Sequence, residues 1–397
     1  MKTNRNFKHK IGTCIIIIFT IIINVLCAHN TNIKAKGTPV VVSLGDSYSS
    51  GEGVEPFYGQ DKNRTKDQNW LAHRSTKSWP SMLSIKGIEG TLADNKDENW
   101  FFVATSGATT DNLKNSLNKE YNRDGHKGTG EVDSQLNIFD TLNKDNRDIK
   151  FVTMTFGGND VGFKNLIETA VINGYINPEK LTQKLKKTWI AFYADNGIKD
   201  DIKKAYIDVS KKTGKNTHII VAGYPKLLSE SKFKLIKSKS SKMLNESVSQ
   251  FNNELGKLVN SCKSQGIDIH FVSVEKDFEG HEAYSDEPYI NEIIFPSKKQ
   301  DLKNKLISDY SIHPNEKGVK VYAKCVQSEI NRIEQLEENS IEDTESNTDS
   351  KTNPETNPIK DKINEEIDIK KKEIEKWIED ELENKINQFL YKNCRGC

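Results

Sequence analysis

The run Pro39-Val40-Val41-Val42-Ser43-Leu44 reads as a short buried strand, β-branched and apolar, and it stops at Gly45-Asp46-Ser47-Tyr48-Ser49-Ser50-Gly51-Glu52-Gly53. A strand that ends this way sets a hydroxyl on a tight turn at the carboxyl edge of a sheet. Open α/β sheets keep their chemistry at that edge. The glycines let backbone N–H groups point the same way as the Ser47 hydroxyl, as an oxyanion requires. By itself such a stretch is equally a Gly/Ser-rich surface turn.

Four more runs repeat the pattern. Trp100–Ala104 ends at Thr105-Ser106-Gly107-Ala108-Thr109, and Ile149–Thr155 ends at Phe156-Gly157-Gly158-Asn159-Asp160. Thr217–Ala222 precedes Gly223-Tyr224-Pro225, and Ile267–Val274 is the fifth. Helical spacing lies between them at Asp133–Leu142, Lys199–Ser210 and, longest, Phe233–Cys262. There Leu235, Met243, Leu244, Val248, Phe251, Leu255, Leu258 and Val259 form an apolar stripe. A helix is expected to begin near Ser78, with Pro80 in its first turn. A last one should start at His313-Pro314-Asn315 and run to about Leu336. Strands alternating with helices predict an α/β chain with a parallel sheet covered on both faces.

The ends of the chain are of other material. Lys2, Arg5, Lys8 and Lys10 precede the apolar run Ile11–Ala28, so residues 1–37 read as an export signal with Leu26-Cys27-Ala28 at the cleavage site. The run is at the short end of the roughly 17–25 residues that span a bilayer, so an uncleaved anchor is the alternative. In either case the remainder is secreted or held outside the cytoplasm, where a Cys262–Cys325 disulfide is allowed. Residues 336–358, rich in Glu, Asn, Ser and Thr, read as a disordered linker. Residues 359–391 regain a four-residue apolar period (Ile363, Ile367, Ile374, Ile378, Leu382, Ile386, Leu390) with mixed charge between, which suits self-association or surface docking. Cys394-Arg395-Gly396-Cys397 closes the chain as a local or intermolecular disulfide pair. The 58 basic and 57 acidic residues leave a net charge of +1, so no global field recruits nucleic acid, and no nucleotide-binding loop or zinc-ligand spacing calls for a cofactor or metal.

Three strand ends therefore carry Ser47, Gly107 and Asn159, and a helix start carries His313. Acyl transfer needs a nucleophile, a base to take its proton and donors for the tetrahedral oxyanion. Ser47 supplies the first and His313 the second. The backbone N–H groups of Ser47 and Gly107 and the Asn159 side-chain amide supply the third.

Gly45-Asp46-Ser47-Tyr48-Ser49-Ser50-Gly51-Glu52-Gly53, Ser106-Gly107-Ala108-Thr109, Gly157-Gly158-Asn159-Asp160 and His313-Pro314-Asn315 resemble, in order, the four blocks of the SGNH (GDSL-type) hydrolases. The resemblance spans about residues 38–335. It implies a flavodoxin-like three-layer α/β/α fold with a five-stranded parallel sheet, and esterase or lipase activity on a small-molecule or lipid acyl ester. It implies the roles just given for Ser47, Gly107, Asn159 and His313. The Ser-Tyr-Ser-Ser-Gly-Glu-Gly form and His73-Arg74-Ser75…Ser78-Trp79-Pro80 resemble the secreted esterase and lipase branch. The pattern departs at one place. The family's Asp three residues before the histidine is here Tyr310, with Asp309 one residue further away. The group that orients His313 is thus Asp309 or a main-chain carbonyl, that of Ser311 or Tyr310.

His73 and His281 are the other histidines near these blocks, the first as a pocket or cap residue and the second as a loop residue. Two functional classes stand at this point. One is a serine hydrolase of carboxylic esters, lipid or short-chain acyl esters or the O-acetyl groups of a polysaccharide. The other is a non-catalytic surface module that kept the fold.

Overall fold

The computed structural model describes residues 39–60, 67–123, 126–173, 178–230, 236–295 and 307–346. The expected export segment, the 359–391 helix and the Cys394/Cys397 pair lie outside these residues. The chain divides into two units, Met1–Gln335 and Leu336–Cys397, and every residue discussed below as part of a site lies in the first.

In chain order come β1 (Val40–Ser43), the one-turn helices α1 (Ser47–Ser50) and α2 (Gln68–Leu71), and β2 (Trp100–Phe102). The strands β3 (Leu117–Arg123) and β4 (His126–Val132) precede α3 (Asn137–Lys144) and β5 (Ile149–Met154). Then follow α4 (Phe163–Asn173), α5 (Pro178–Tyr193), α6 (Ile198–Lys212), β6 (His218–Ala222), α7 (Ser238–Lys263), β7 (Ile269–Val272) and α8 (Glu316–Ser346).

Strands β2-β1-β5-β6-β7 form one five-stranded sheet, every neighbouring pair parallel, with helices on both sides. The five runs read from sequence are these five strands, each trimmed by one or two residues at one or both ends. β1, β5 and β6 are buried at every position, as strands covered on both faces must be. Burying each of Val40, Val41 and Val42 completely contributes about 1.5–3 kcal/mol relative to exposure. Of the predicted stripe, Leu244, Val248, Phe251, Leu255, Leu258 and Val259 are on the buried face of α7, Met243 is half-buried, and Leu235 lies outside the described residues. The strand order reverses at β1. The chain passes from β1 outward to β2, then returns to lay β5 on the other side of β1. The carboxyl ends of β2, β1 and β5 consequently stand side by side, and the loops leaving them open a crevice.

Several expectations change. The helix near Ser78 is a single 3-10 turn, Pro80–Met82, with Pro80 in its first position. α8 starts at Glu316, not at His313, because the Asn315 side chain caps it by accepting from the N–H groups of Lys317 and Gly318. Pro314 lies outside the helix, in a bridge with Ile290. At its far end α8 passes Leu336 and continues to Ser346, so the described part of the expected 336–358 linker is helix. Once a helix is nucleated on a packed face, each further residue adds a hydrogen bond at little cost, and the Glu-rich sequence tolerates it. Cys262 and Cys325 are free thiols rather than a disulfide. The antiparallel β3–β4 hairpin and helices α4 and α5 add elements that the hydrophobic pattern did not announce.

Candidate active site

Ser47 is the first residue of α1, directly after the turn that leaves β1. Gln135 holds that turn from both sides, accepting from the Gly45 N–H at 2.8 Å and donating to the Gly45 carbonyl at 2.8 Å. Asp46 caps α1 by accepting from the Tyr48 N–H at 3.0 Å. Its carboxylate also accepts from Thr155 Oγ1 at 2.7 Å, at the end of β5, and from the Tyr224 hydroxyl, beyond the end of β6. Tyr224 in turn accepts from the Gly158 N–H at 3.2 Å. One buried carboxylate thereby ties three strand ends together beneath Ser47. Burial raises its pKa to about 6, against the hydrogen bonds from Tyr224, Thr155 and the Tyr48 N–H that favour the ionised form.

His313 reaches the serine from the opposite end of the sequence. Its Nε2 lies 2.7 Å from Ser47 Oγ, and its Nδ1 lies 3.0 Å from the Ser311 carbonyl oxygen. With Ser311 as acceptor, Nδ1 carries the proton and Nε2 is left to accept from the serine hydroxyl. The segment is held under constraint. Ile312 has φ 59°, a left-handed conformation that a β-branched residue adopts only when its surroundings impose it. Here the Tyr48 hydroxyl donates to the Ile312 carbonyl at 2.7 Å and the Ile312 N–H donates to the Asn291 carbonyl at 3.1 Å. Gly53 explains the last glycine of the first block. A Cβ there would come within 2.2 Å of the Pro314 carbonyl oxygen and 2.9 Å of His313 Cβ, so only glycine lets the histidine segment settle against the serine loop.

The Asp309 carboxylate pairs instead with Lys164 of α4, at 2.9 Å. Of the acceptors left open by sequence, the Ser311 carbonyl is thus the one in hydrogen-bond contact with His313.

The remaining candidate donors line the same cleft as Ser47 and His313. Gly107 turns the chain after β2 with φ 83°, and among the described residues neither its N–H nor that of Ser47 has an acceptor. The Asn159 amide donates one hydrogen to the Ala108 carbonyl at 2.9 Å, which fixes its plane and leaves its second hydrogen available. Neighbouring Asp160 accepts from the N–H and hydroxyl of Thr110, so the loops after β2 and β5 are stapled to each other. Ser47, Gly107, Asn159 and His313 all line one cleft. The cleft wall is mostly apolar, with Phe163, Ile167, Leu227, Val248, Ile307 and Ile312, and it also carries Lys119 and Lys164.

The wall and its lysines were not legible in advance. Lys119 comes from the β3–β4 hairpin and donates to the Ser106 carbonyl at 2.6 Å. The Asp124-Gly125 pair between its strands was the available signal, since Asp-Gly favours tight hairpins. Neither His73 nor His281 lines the cleft. His73 stacks on Phe57 and pairs with the buried Glu52 at 2.6 Å. His281 stacks on Tyr289 and hydrogen-bonds the Glu287 carbonyl.

No protein-family model matches the chain. It is 26% identical over 263 residues to Lipase 1 of Streptomyces coelicolor, a match covering 64% of this chain and 75% of that one. Among solved structures it is similar to the extracellular lipase of Streptomyces rimosus, with a TM-score of 0.50 and 22% identity over 74% of this chain and 99% of that one. It is also similar to phospholipase A1 from Streptomyces albidoflavus, with a TM-score of 0.51 and 19% identity over 73% and 98% of the two chains. At those identities the structural likeness is one of fold.

Proposed function

We propose that this chain is an SGNH hydrolase and that it cleaves carboxylic esters of lipid-like acyl chains. The observation that carries the reading is the 2.7 Å contact between Ser47 Oγ and His313 Nε2 at the floor of a cleft with a mostly apolar wall. Ser47 Oγ attacks the ester carbonyl while its proton passes to His313 Nε2. The oxyanion that forms is held by the N–H groups of Ser47 and Gly107 and by Asn159 Nδ2. Collapse of the tetrahedral species breaks the bond to the alcohol oxygen, which takes the proton from His313 and leaves an acyl-Ser47 ester. Water then repeats the attack with His313 again as base, releasing the acid and restoring the serine. The apolar wall suits the acyl chain. The export-signal reading of residues 1–37, together with the extracellular relative, supports action outside the cytoplasm.

The test is a panel of chromogenic acyl esters and O-acetylated glycans. The highest kcat/KM is expected on an ester whose acyl chain is longer than acetyl. Selective turnover of the acetylated glycan would move the assignment to carbohydrate deacetylation, and no turnover of any ester would leave a binding module.

His313 is oriented by a carbonyl in this reading, so Asp309 is not a triad acid. Asp309→Asn should leave kcat within about tenfold of the parent, whereas loss of a true triad carboxylate costs on the order of 10⁴. Steady-state kinetics on one soluble ester separate the two.

The pH dependence follows from the site's burial. Desolvation disfavours the imidazolium and lowers the His313 pKa below 6.5, outweighing the charges of Glu52 and Asp309. The reaction needs the neutral ring. Activity should therefore persist as pH falls through 6.5 and be lost only below that value. An acid limb of kcat/KM above 6.5 would contradict the environment described for His313.

A further inference from the structure

At the opposite edge of the sheet, where β6 and β7 begin, three side chains converge that the ester chemistry does not use. The register pairs Ile219 with Ile269 and Ile220 with His270, and the Ile219 N–H donates to the Asp268 carbonyl. One step back, His218 stands beside Asp268, and the period-two alternation of a strand puts Asp268 and His270 on the same face. His218 Nδ1 lies 2.8 Å from one Asp268 carboxylate oxygen, and His270 Nε2 lies 2.6 Å from the other. One donor atom from each residue falls within 4.8 Å of the other two.

We propose that His218, Asp268 and His270 bind a single late first-row divalent cation, of which zinc is the one tested below. Two imidazole nitrogens and a carboxylate suit zinc and its neighbours in ligand softness, and they disfavour calcium and magnesium, which take oxygen ligands. The second nitrogen of His270 is also provided for. Its Nδ1 lies 2.9 Å from Glu329 Oε1 on α8, the carboxylate–histidine arrangement that fixes the ring's tautomer and raises its basicity toward a metal. Glu329 is held by Arg332 at 2.6 and 2.8 Å, and Arg332 Nη2 is 3.4 Å from the same Nδ1. The guanidinium charge is thus matched locally by Glu329 rather than left facing the ion. His218 is buried while Asp268 is exposed, which leaves one side open for a water to complete a four-coordinate shell. A bound ion would join β6 and β7 directly and α8 through Glu329. It would act far from the ester cleft, because β6 starts at His218 and delivers Tyr224 to that cleft beyond its other end.

Isothermal titration of metal-free full-length protein with zinc chloride should show one ion per chain, and calcium chloride should show none. His218→Ala and His270→Ala should each abolish binding, and Glu329→Gln should weaken it by about 10- to 100-fold. The Cys394→Ser/Cys397→Ser double variant should bind as the parent does, which separates this site from the terminal thiols. A crystal grown with zinc and measured at the zinc absorption edge locates the ion whether or not a variant folds, and the peak should fall among His218, Asp268 and His270. Absence of binding overturns the proposal, as do binding that survives both histidine changes, dependence on the terminal cysteines or a peak elsewhere. The three residues would then be an ion-pair network without a metal.

Discussion

Ser47→Ala is expected to lower kcat by on the order of 10⁶, the scale on which a serine hydrolase loses turnover with its nucleophile, while the fold is retained. The change removes one oxygen from the floor of a cleft. Asp46, which ties the strand ends together through Thr155, Tyr224 and the Tyr48 N–H, keeps its partners. Circular dichroism and Tm should therefore match the parent. Ser47 and His313 act as one unit in the reaction, so the Ser47→Ala/His313→Ala double variant should be no slower than either single variant. Independent contributions would instead multiply. A serine-directed phosphonate should modify Ser47 alone. Retained activity in Ser47→Ala, or stoichiometric labelling of another residue, sinks the assignment.

The second large effect is at Asn159. Removing one side-chain donor to a developing oxyanion typically costs about 10²–10³ in kcat, with little change in KM, because the bond strengthens only as charge builds on the oxygen. Asn159→Ala should show that pattern. Asn159 also donates to the Ala108 carbonyl, so the alanine variant could lose activity through a loosened loop instead. Tm and KM separate the causes, because a loosened loop lowers Tm or raises KM, whereas a lost oxyanion donor lowers kcat alone. A fall in kcat with Tm and KM unchanged assigns the effect to hydrogen-bond donation in the transition state. A rise confined to KM points to substrate positioning.

How much of this was legible before the structure differs from element to element. The five sheet strands were, because strands covered on both faces read as short, near-continuous apolar runs bounded by turn residues, as Val40–Val42 does before Gly45. The β3–β4 hairpin was not, since Leu117–Val132 is polar along both strands and carries no hydrophobic period to reveal it. Lys119 was hidden with it. The helix before Ser346 was cut short at Leu336 because composition there changes faster than hydrogen bonding does.

The amino-acid sequence by itself determined the strands, the glycine turns that end them and the residue types set on those turns. All of these are local, decided by burial pattern and backbone freedom within a few residues. It could not decide which acceptor faces His313, because that depends on Lys164, which reaches across from α4 to take the Asp309 carboxylate and leaves the ring to the Ser311 carbonyl. Nor could it bring His218 to Asp268 and His270, whose meeting depends on the register between β6 and β7. Contacts between residues distant in sequence are fixed by how whole strands and helices pack, and only the assembled sheet contains that information.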